Sequence, residues 1–217
     1  MGRRAINKKV TRKVPANPIP EKSYNRFKYK LEEMSIKYPE RNLMMFYIGV
    51  ATGYRTQDIV DLTIGQIKES LEDDRFIIQE KKQYKAWETQ LKKNPNSKKK
   101  RPPPREALIK PNLRKLLRDY IRGKSKSEYA FPSNKDEHIS EKSYSEILSE
   151  TGKSLGLKNI SGHSMRKTYA SRLWESKRDL EYVRIALGHT NIETTKRYLG
   201  LDNEIKDDAA GITDDRL

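Results

Sequence analysis

The sequence predicts an α+β fold that is mostly α-helical, with one small antiparallel β-hairpin or sheet. Apolar residues recur at helical spacing in several stretches, as Tyr24, Phe27, Leu31 and Met34 do. Strong breakers such as Gly53, Pro111 and Gly188 separate those stretches. Only Arg75–Gln79 and Glu106–Lys110 read as strands, each a short apolar run.

Residues 1–20 read as a basic, flexible arm. They end in Pro15-Ala-Asn-Pro-Ile-Pro20, which cannot hold a helix and favours extended backbone. Helical spacing then runs from Glu21 to about Tyr38, and again over Asn42–Thr52 up to Gly53. A further helix is expected from Thr56, as N-cap, through Ile59, Val60 and Leu62. The stretch between the strands holds Lys81, Lys82, Lys85, Lys92, Lys93, Lys98, Lys99, Lys100 and Arg101, and reads as a long hairpin loop. Pro111 suits the first turn of a helix reaching Arg122. Helices are expected over Ser140–Leu155, Ser164–Ser176, Asp179–Leu187 and Glu193–Leu199, with Gly188-His-Thr-Asn191 as the break before the last. Residues 201–217 read as an acidic tail.

The 217 residues suit one domain with tails, and hydrophobic residues (34%) barely balance charged ones (35%), which implies a small core under a charged surface. The formal net charge of +16 points to a polyanion as partner. The charge is uneven: Arg3, Arg4, Lys8 and Lys9 crowd the first residues, whereas the end of the chain is acidic. With no cysteine, disulfides, thiolate zinc sites and a cysteine nucleophile are excluded, and no metal site is expected. No apolar run approaches a membrane span and Met1–Val14 lacks a signal peptide's apolar stretch, so a cytoplasmic protein without membrane contact is expected.

The chemistry-bearing residues fall in separate segments. His163 and Arg166, three residues apart, share a helix face, where a cation beside an imidazole can hold a phosphate and move a proton. Arg55 follows Gly53, so its side chain can project from a turn between helices. His189 follows Arg166 by 23 residues and Tyr198 follows His189 by nine. Any one of these alone is weak; their order and context carry the signal.

These segments resemble the tyrosine recombinase (phage integrase) family over roughly Asn42 to Gly200. Its Thr-Gly-x-Arg-x-x-Glu signature is similar to Thr52-Gly-Tyr-Arg55-Thr-Gln-Asp58, with Asp in place of Glu. Its His-x-Leu-Arg-His-Thr block resembles His163-Ser-Met-Arg166-Lys-Thr168. Its Leu-Gly-His-x-x-x-x-Thr-x-x-Tyr end resembles Leu187-Gly-His189 through Tyr198, spacing included.

The resemblance implies the family's catalytic-domain fold over residues 21–200 and a site-specific recombinase or integrase. By the same likeness, Tyr198 would attack a DNA phosphate and leave a 3′-phosphotyrosyl enzyme, without metal, ATP or cofactor. Arg55 and Arg166 would clamp the phosphate, His163 would exchange the tyrosine proton, His189 would donate to the phosphate, and Asp58 would support Arg55 from behind. The family's leaving-group lysine follows the first hairpin strand. Matching Gln-Lys-Thr-Gly-Lys puts it at Lys82, with Lys81 and Lys85 as alternatives. Lys85, Lys98, Lys99, Lys100 and Arg101, with the arm's Arg3, Arg4, Lys8 and Lys9, are candidate contacts to double-stranded DNA. A homodimer or homotetramer on DNA is expected. Members usually carry a DNA-clamping domain ahead of the catalytic one, and Met1–Tyr38 is too short for it. A DNA-binding module without turnover, and a topoisomerase or relaxase using the same transesterification, remain open readings.

Overall fold

A computed structural model of the chain describes residues 14–135 and 137–214. Its helices and strands in chain order are α1 (Glu21–Met34), α2 (Pro39–Thr52), α3 (Thr56–Ile59), α4 (Ile64–Glu72), β1 (Arg75–Ile78), α5 (Lys81–Lys93), β2 (Arg105–Leu108), α6 (Pro111–Tyr120), α7 (Glu141–Ser154), α8 (Gly162–Lys177), α9 (Leu180–Leu187), α10 (Ile192–Leu199) and α11 (Leu201–Asp214). The mostly helical α+β expectation holds.

The organising helix is α2, which packs against α1, α3, α6 and α8. Phe27 of α1 stacks on Phe46 of α2 at 5.4 Å between ring centroids, and both are fully buried. Each such ring removed from water contributes ~1.5–3 kcal/mol. On its other side α2 meets α8 closely at Gly49, where a Cβ would lie 2.6 Å from Met165 Sδ. The strands pair antiparallel, with Arg75 opposite Leu108 and Ile78 opposite Arg105. A second, smaller apolar cluster of Ala170, Val183 and Leu187 joins α8 to α9, and Tyr169, Leu173, Trp174, Tyr198 and Leu199 pack against it.

Local signals set the ends of the elements that matter. Thr63 caps α4 reciprocally with Gln66, Asp179 caps α9, and Asn191 caps α10 through a 2.8 Å bond from Thr194 N. Helices α2, α9 and α10 end in left-handed glycines, Gly53, Gly188 and Gly200.

Several expectations need correction. The long lysine-rich loop is not a loop at its start, because Lys81–Lys93 is helix α5. Tyr84 and Trp87, three apart, meet at 5.5 Å. The returning chain covers that face: Trp87 Nε1 donates to Lys99 O at 2.9 Å, and Arg101 lies over the Tyr84 ring. Lys, Gln, Ala and Leu are good helix formers, so the run needs little core to hold it. The expected arm is too long at its inner end. Ile19 is buried and its N–H donates to Thr168 Oγ1 at 2.9 Å, because the flanking prolines hold it extended along α8. Helix α1 stops at Met34, four residues early, where Ser35 turns its hydroxyl back to Leu31 O. Met34 is thereby left exposed. Thr56 is not a cap: Arg55 is the N-cap of α3, and the Thr56 hydroxyl donates instead to Gly162 O at 2.9 Å. Leu62 falls beyond α3, and α4 was not anticipated. Within residues 201–217, the part to Asp214 is helix α11; only Leu201 of its described side chains is buried.

Candidate active site

The site forms where the ends of α2 and α9 meet the first half of α8. Helix α2 closes on Gly53 at φ 67°, a conformation that costs a residue with a Cβ ~1–2 kcal/mol. A Cβ there would also lie 2.4 Å from the Tyr169 ring. This tight turn delivers Arg55 to the head of α3. Arg166 rises from α8 and is almost wholly buried. Its Nη1 donates to Gly53 O at 2.6 Å and its Nη2 to Leu187 O at 2.6 Å. Arg105, from the start of β2, donates Nη1 to Thr52 O at 3.0 Å and Ala186 O at 3.1 Å. The arginines therefore cap the carbonyl ends of both α2 and α9, where helix dipoles leave partial negative charge.

Between the guanidinium groups lies Glu80, a residue that no motif marked. Its Oε1 is 2.7 Å from Arg55 Nη1, 2.9 Å from Arg166 Nη1 and 3.4 Å from Arg105 Nε. Burial would raise the Glu80 pKa, but Arg166, Arg55 and Arg105 overcome it and hold the carboxyl below its ordinary range. Glu80 Oε2 accepts from Gln83 Nε2 at 2.7 Å, and the same nitrogen donates to Gly188 O at 3.1 Å. Asp58 is also buried; its Oδ1 accepts from Lys81 N at 2.9 Å and its Oδ2 is 4.0 Å from Arg55 Nη1. Burial raises its pKa. Burial and the neighbouring Arg55 bring Arg166 down to about 10, so it stays cationic at neutral pH.

His189 and Tyr198 close the other side. Their rings meet edge to face at 5.4 Å. His189 Nδ1 is 3.0 Å from Thr195 Oγ1, and Thr195 is fully buried. Burial and the cations Arg166 and Arg55 lower the His189 pKa to about 4, so the ring is neutral at pH 7. When Thr195 donates to Nδ1, the ring proton sits on Nε2, free for an acceptor. Tyr198 packs on the small C-terminal core, which fixes its ring. Burial pushes its pKa up to about 12, against the pull of Arg166 and Arg55. Its hydroxyl and Arg166 Nε are both shielded from solvent, and neither makes a hydrogen bond of normal geometry among the described residues. A donor and a phenol left so are what a phosphate oxygen would engage.

The structure thus brings Arg55, Arg166, His189 and Tyr198 together. His163 lies in the first turn of α8, exposed, one turn before Arg166. Lys82 and Lys85 are exposed on α5 and line a shallow groove with Gln57 and Lys81. Lys81 Nζ is engaged by Gln57 O and Asp61 Oδ1, each at 2.6 Å. Lys98, Lys99, Lys100 and Arg101 lie on the segment that returns from α5. Arg3, Arg4, Lys8 and Lys9 lie outside the described residues. Sequence reasoning missed Glu80, Gln83, Arg105 and Thr195. A lone acid at the exit of an apolar strand, followed at once by lysines, was the available signal for Glu80.

With this geometry in place, the comparisons with known proteins decide the family. The model of the phage integrase family matches residues 19–204. The chain belongs to that family. A Bacillus subtilis (strain 168) protein named "Probable integrase/recombinase YoeC" is 27% identical over 166 residues, which is 76% of this chain and 80% of that protein. The tyrosine recombinase XerH of Campylobacter jejuni is 25% identical over 166 residues, 76% of this chain but 42% of that protein. Among solved structures, XerH site-specific recombinase bound to its difH substrate before cleavage has a TM-score of 0.60 at 22% identity, covering 86% of this chain and 50% of that one. The Tn1549 transposon integrase in complex with a circular intermediate DNA has a TM-score of 0.63 at 15% identity, covering 86% and 62%. At these identities the structural likeness shows the fold, that of tyrosine recombinase catalytic domains. Among the described residues, no helix is long and apolar enough to cross a membrane.

Proposed function

We propose that this chain is a site-specific DNA recombinase that cleaves and rejoins DNA through Tyr198. The observation that carries the reading is the convergence of Arg55, Arg166 and His189 beside the Tyr198 phenol. Tyr198 Oη attacks the scissile phosphorus and forms the phosphotyrosyl bond. Its proton passes to His163, and the 5′-oxygen leaves with a proton from Lys82, or from Lys81 or Lys85. A phenol with its pKa raised is a poor nucleophile until a base takes its proton. Arg166 and Arg55 supply fixed positive charge where the phosphorane becomes more negative, and His189 adds a neutral donor. Asp58 steadies the turn behind Arg55 through Lys81 N. Because the phosphotyrosyl ester keeps the energy of the phosphodiester, rejoining needs only the 5′-hydroxyl, without ATP or a metal.

Residues 21–200 form the catalytic unit in this reading. Double-stranded DNA is the partner, held in part by the lysines of α5 and of residues 98–101. The protein works as a homodimer or homotetramer on DNA, in the cytoplasm where its substrate is found. The test is covalent capture on a randomised library of nicked duplexes in EDTA and without nucleotide, with sequencing of the captured DNA. A specific site linked through a 3′-phosphotyrosine is expected. No capture by the parent chain, or equal capture by Tyr198→Phe, refutes the reading; capture that requires added metal refutes the metal independence.

A further inference from the structure

We infer that Glu80 is a positioning residue for strand cleavage: its buried carboxylate aims Arg55 and Arg166 at the scissile phosphate and ties them to the loop that carries His189. The inference rests on the proposed function and extends it to a side chain outside the sequence motifs that carry the family resemblance.

Three guanidinium groups within reach of one oxygen repel one another; Arg55 and Arg105 both lower the pKa of Arg166. Without a carboxylate among them they would splay apart. Burying a charge is costly, and apolar replacement of a buried ion group often stabilises a protein, so fold stability alone is a weak reason to keep an acid here. Its geometry gives a better one. Oε1 fixes the direction of Arg55 and Arg166 at 2.7 and 2.9 Å, and Oε2 reaches through Gln83 to Gly188 O, the residue before His189. One side chain thereby sets the relative placement of the turn after α2, of α8 and of the α9–α10 loop.

The Glu80 side chain is 2% exposed, buried with Arg166 at 1% and deeper than Arg55 at 14%, so Arg55 is the more accessible of these groups to a phosphate. Arg166 Nε, which Glu80 leaves unengaged, remains as donor beside Tyr198. Glu80 also directly precedes Lys81 and Lys82, so the same anchor sets where the lysines of α5 begin.

The experiment uses the full chain and the DNA site recovered by covalent capture. Single-turnover cleavage of the nicked duplex is measured for the parent, Glu80→Gln and Gln83→Ala. Non-covalent affinity is measured for the same changes in a Tyr198→Phe background. Misplacing a catalytic group by ~1 Å commonly costs ~100-fold in rate, so Glu80→Gln should cleave about 100-fold more slowly. Its affinity should change by less than about threefold, because every phosphate-facing cation is retained. Gln83→Ala, which leaves the buried charge in place but removes both hydrogen bonds of Gln83 Nε2, should cleave ~2–10-fold more slowly while still folding, with Tm lowered by only a few degrees. This second variant decides the matter if Glu80→Gln fails to fold.

Cleavage by Glu80→Gln at the parental rate overturns the inference, as does a parallel fall of cleavage and affinity, the mark of a merely structural acid. Faster cleavage by Glu80→Gln overturns it too, since the carboxylate would then be competing with the phosphate. Unchanged cleavage by Gln83→Ala removes the link to His189. A parent that captures no DNA refutes the proposed function and this role with it, whereas a parent that captures DNA with indifferent variants refutes this role alone.

Discussion

Replacing Arg166 by lysine keeps the charge and removes the fork. The guanidinium of Arg166 spans Gly53 O at 2.6 Å, Leu187 O at 2.6 Å and Glu80 Oε1 at 2.9 Å. A single Nζ on a shorter stem cannot reach both helix ends. Each buried carbonyl left without its donor costs ~1–3 kcal/mol, so the pair costs about 2–6 kcal/mol. The ammonium still faces Glu80, which avoids the ~3–5 kcal/mol cost of stranding a buried charge. A destabilisation of about 2–6 kcal/mol is therefore expected, or roughly 4–24 °C in Tm for a chain of this size. Urea unfolding at pH 7 measures it from the shift in midpoint at constant m. Arg166→Met, which strands Glu80 partly, should lose more stability than Arg166→Lys. A midpoint shift worth less than about 0.5 kcal/mol for Arg166→Lys would refute the bridging role, since ordinary surface changes do as much. Single-turnover cleavage, assayed well below Tm, should fall about 100–1,000-fold for the lost phosphate donor.

Other consequences follow from the same geometry. The His189 pKa falls from about 6.5 unfolded to about 4 folded, so the unfolded chain binds the extra proton between those values. The stability it contributes is full above pH 6.5 and is lost as pH falls toward 4, on the order of 3 kcal/mol in all. Urea titrations of the parent and His189→Gln should converge across that window, and parallel curves would refute the buried neutral imidazole. Lys82→Ala with Lys85→Ala should lower the slope of log affinity against log salt by about 2 if both meet phosphates, and an unchanged slope places DNA elsewhere. Gly53→Ala should cost at least ~1–2 kcal/mol by calorimetry, because the left-handed backbone strains an added Cβ and Tyr169 blocks it. A neutral Gly53→Ala would mean that the turn can relax.

Much of the site was legible because its residues belong to local patterns. The Gly53 turn that delivers Arg55, the one-turn step from His163 to Arg166, and the Gly188 break ahead of His189 each depend on a few neighbouring residues. Helix ends were legible where a cap or breaker fixed them, as at Asn191 and Pro111. Glu80 and Arg105 were not, because their meaning lies in meeting Arg55 and Arg166 from distant parts of the chain. Helix α5 was misread for a different reason: its lysines resemble those of a solvated loop, and the ring pair that organises it, Tyr84 with Trp87, needs the return of Lys99 and Arg101 to be covered. Helix α11 has Leu201, Ile205, Ala209 and Ile212 at helical spacing, but the acids around them outweighed that stripe, and only Leu201 is buried among its described side chains.

The clasp of Arg105 and Arg166 across the ends of α2 and α9 has a bearing on when the chemistry becomes available. Arg166, which would grip a DNA phosphate in the proposed function, also fastens two helices separated by more than half the chain. A nascent or partly opened chain therefore offers scattered basic side chains and an ordinary phenol, with nothing to ripen the one into an attacking group beside the other. In the proposed function, reactivity toward DNA is thus a property of the finished fold and is lost when its centre loosens.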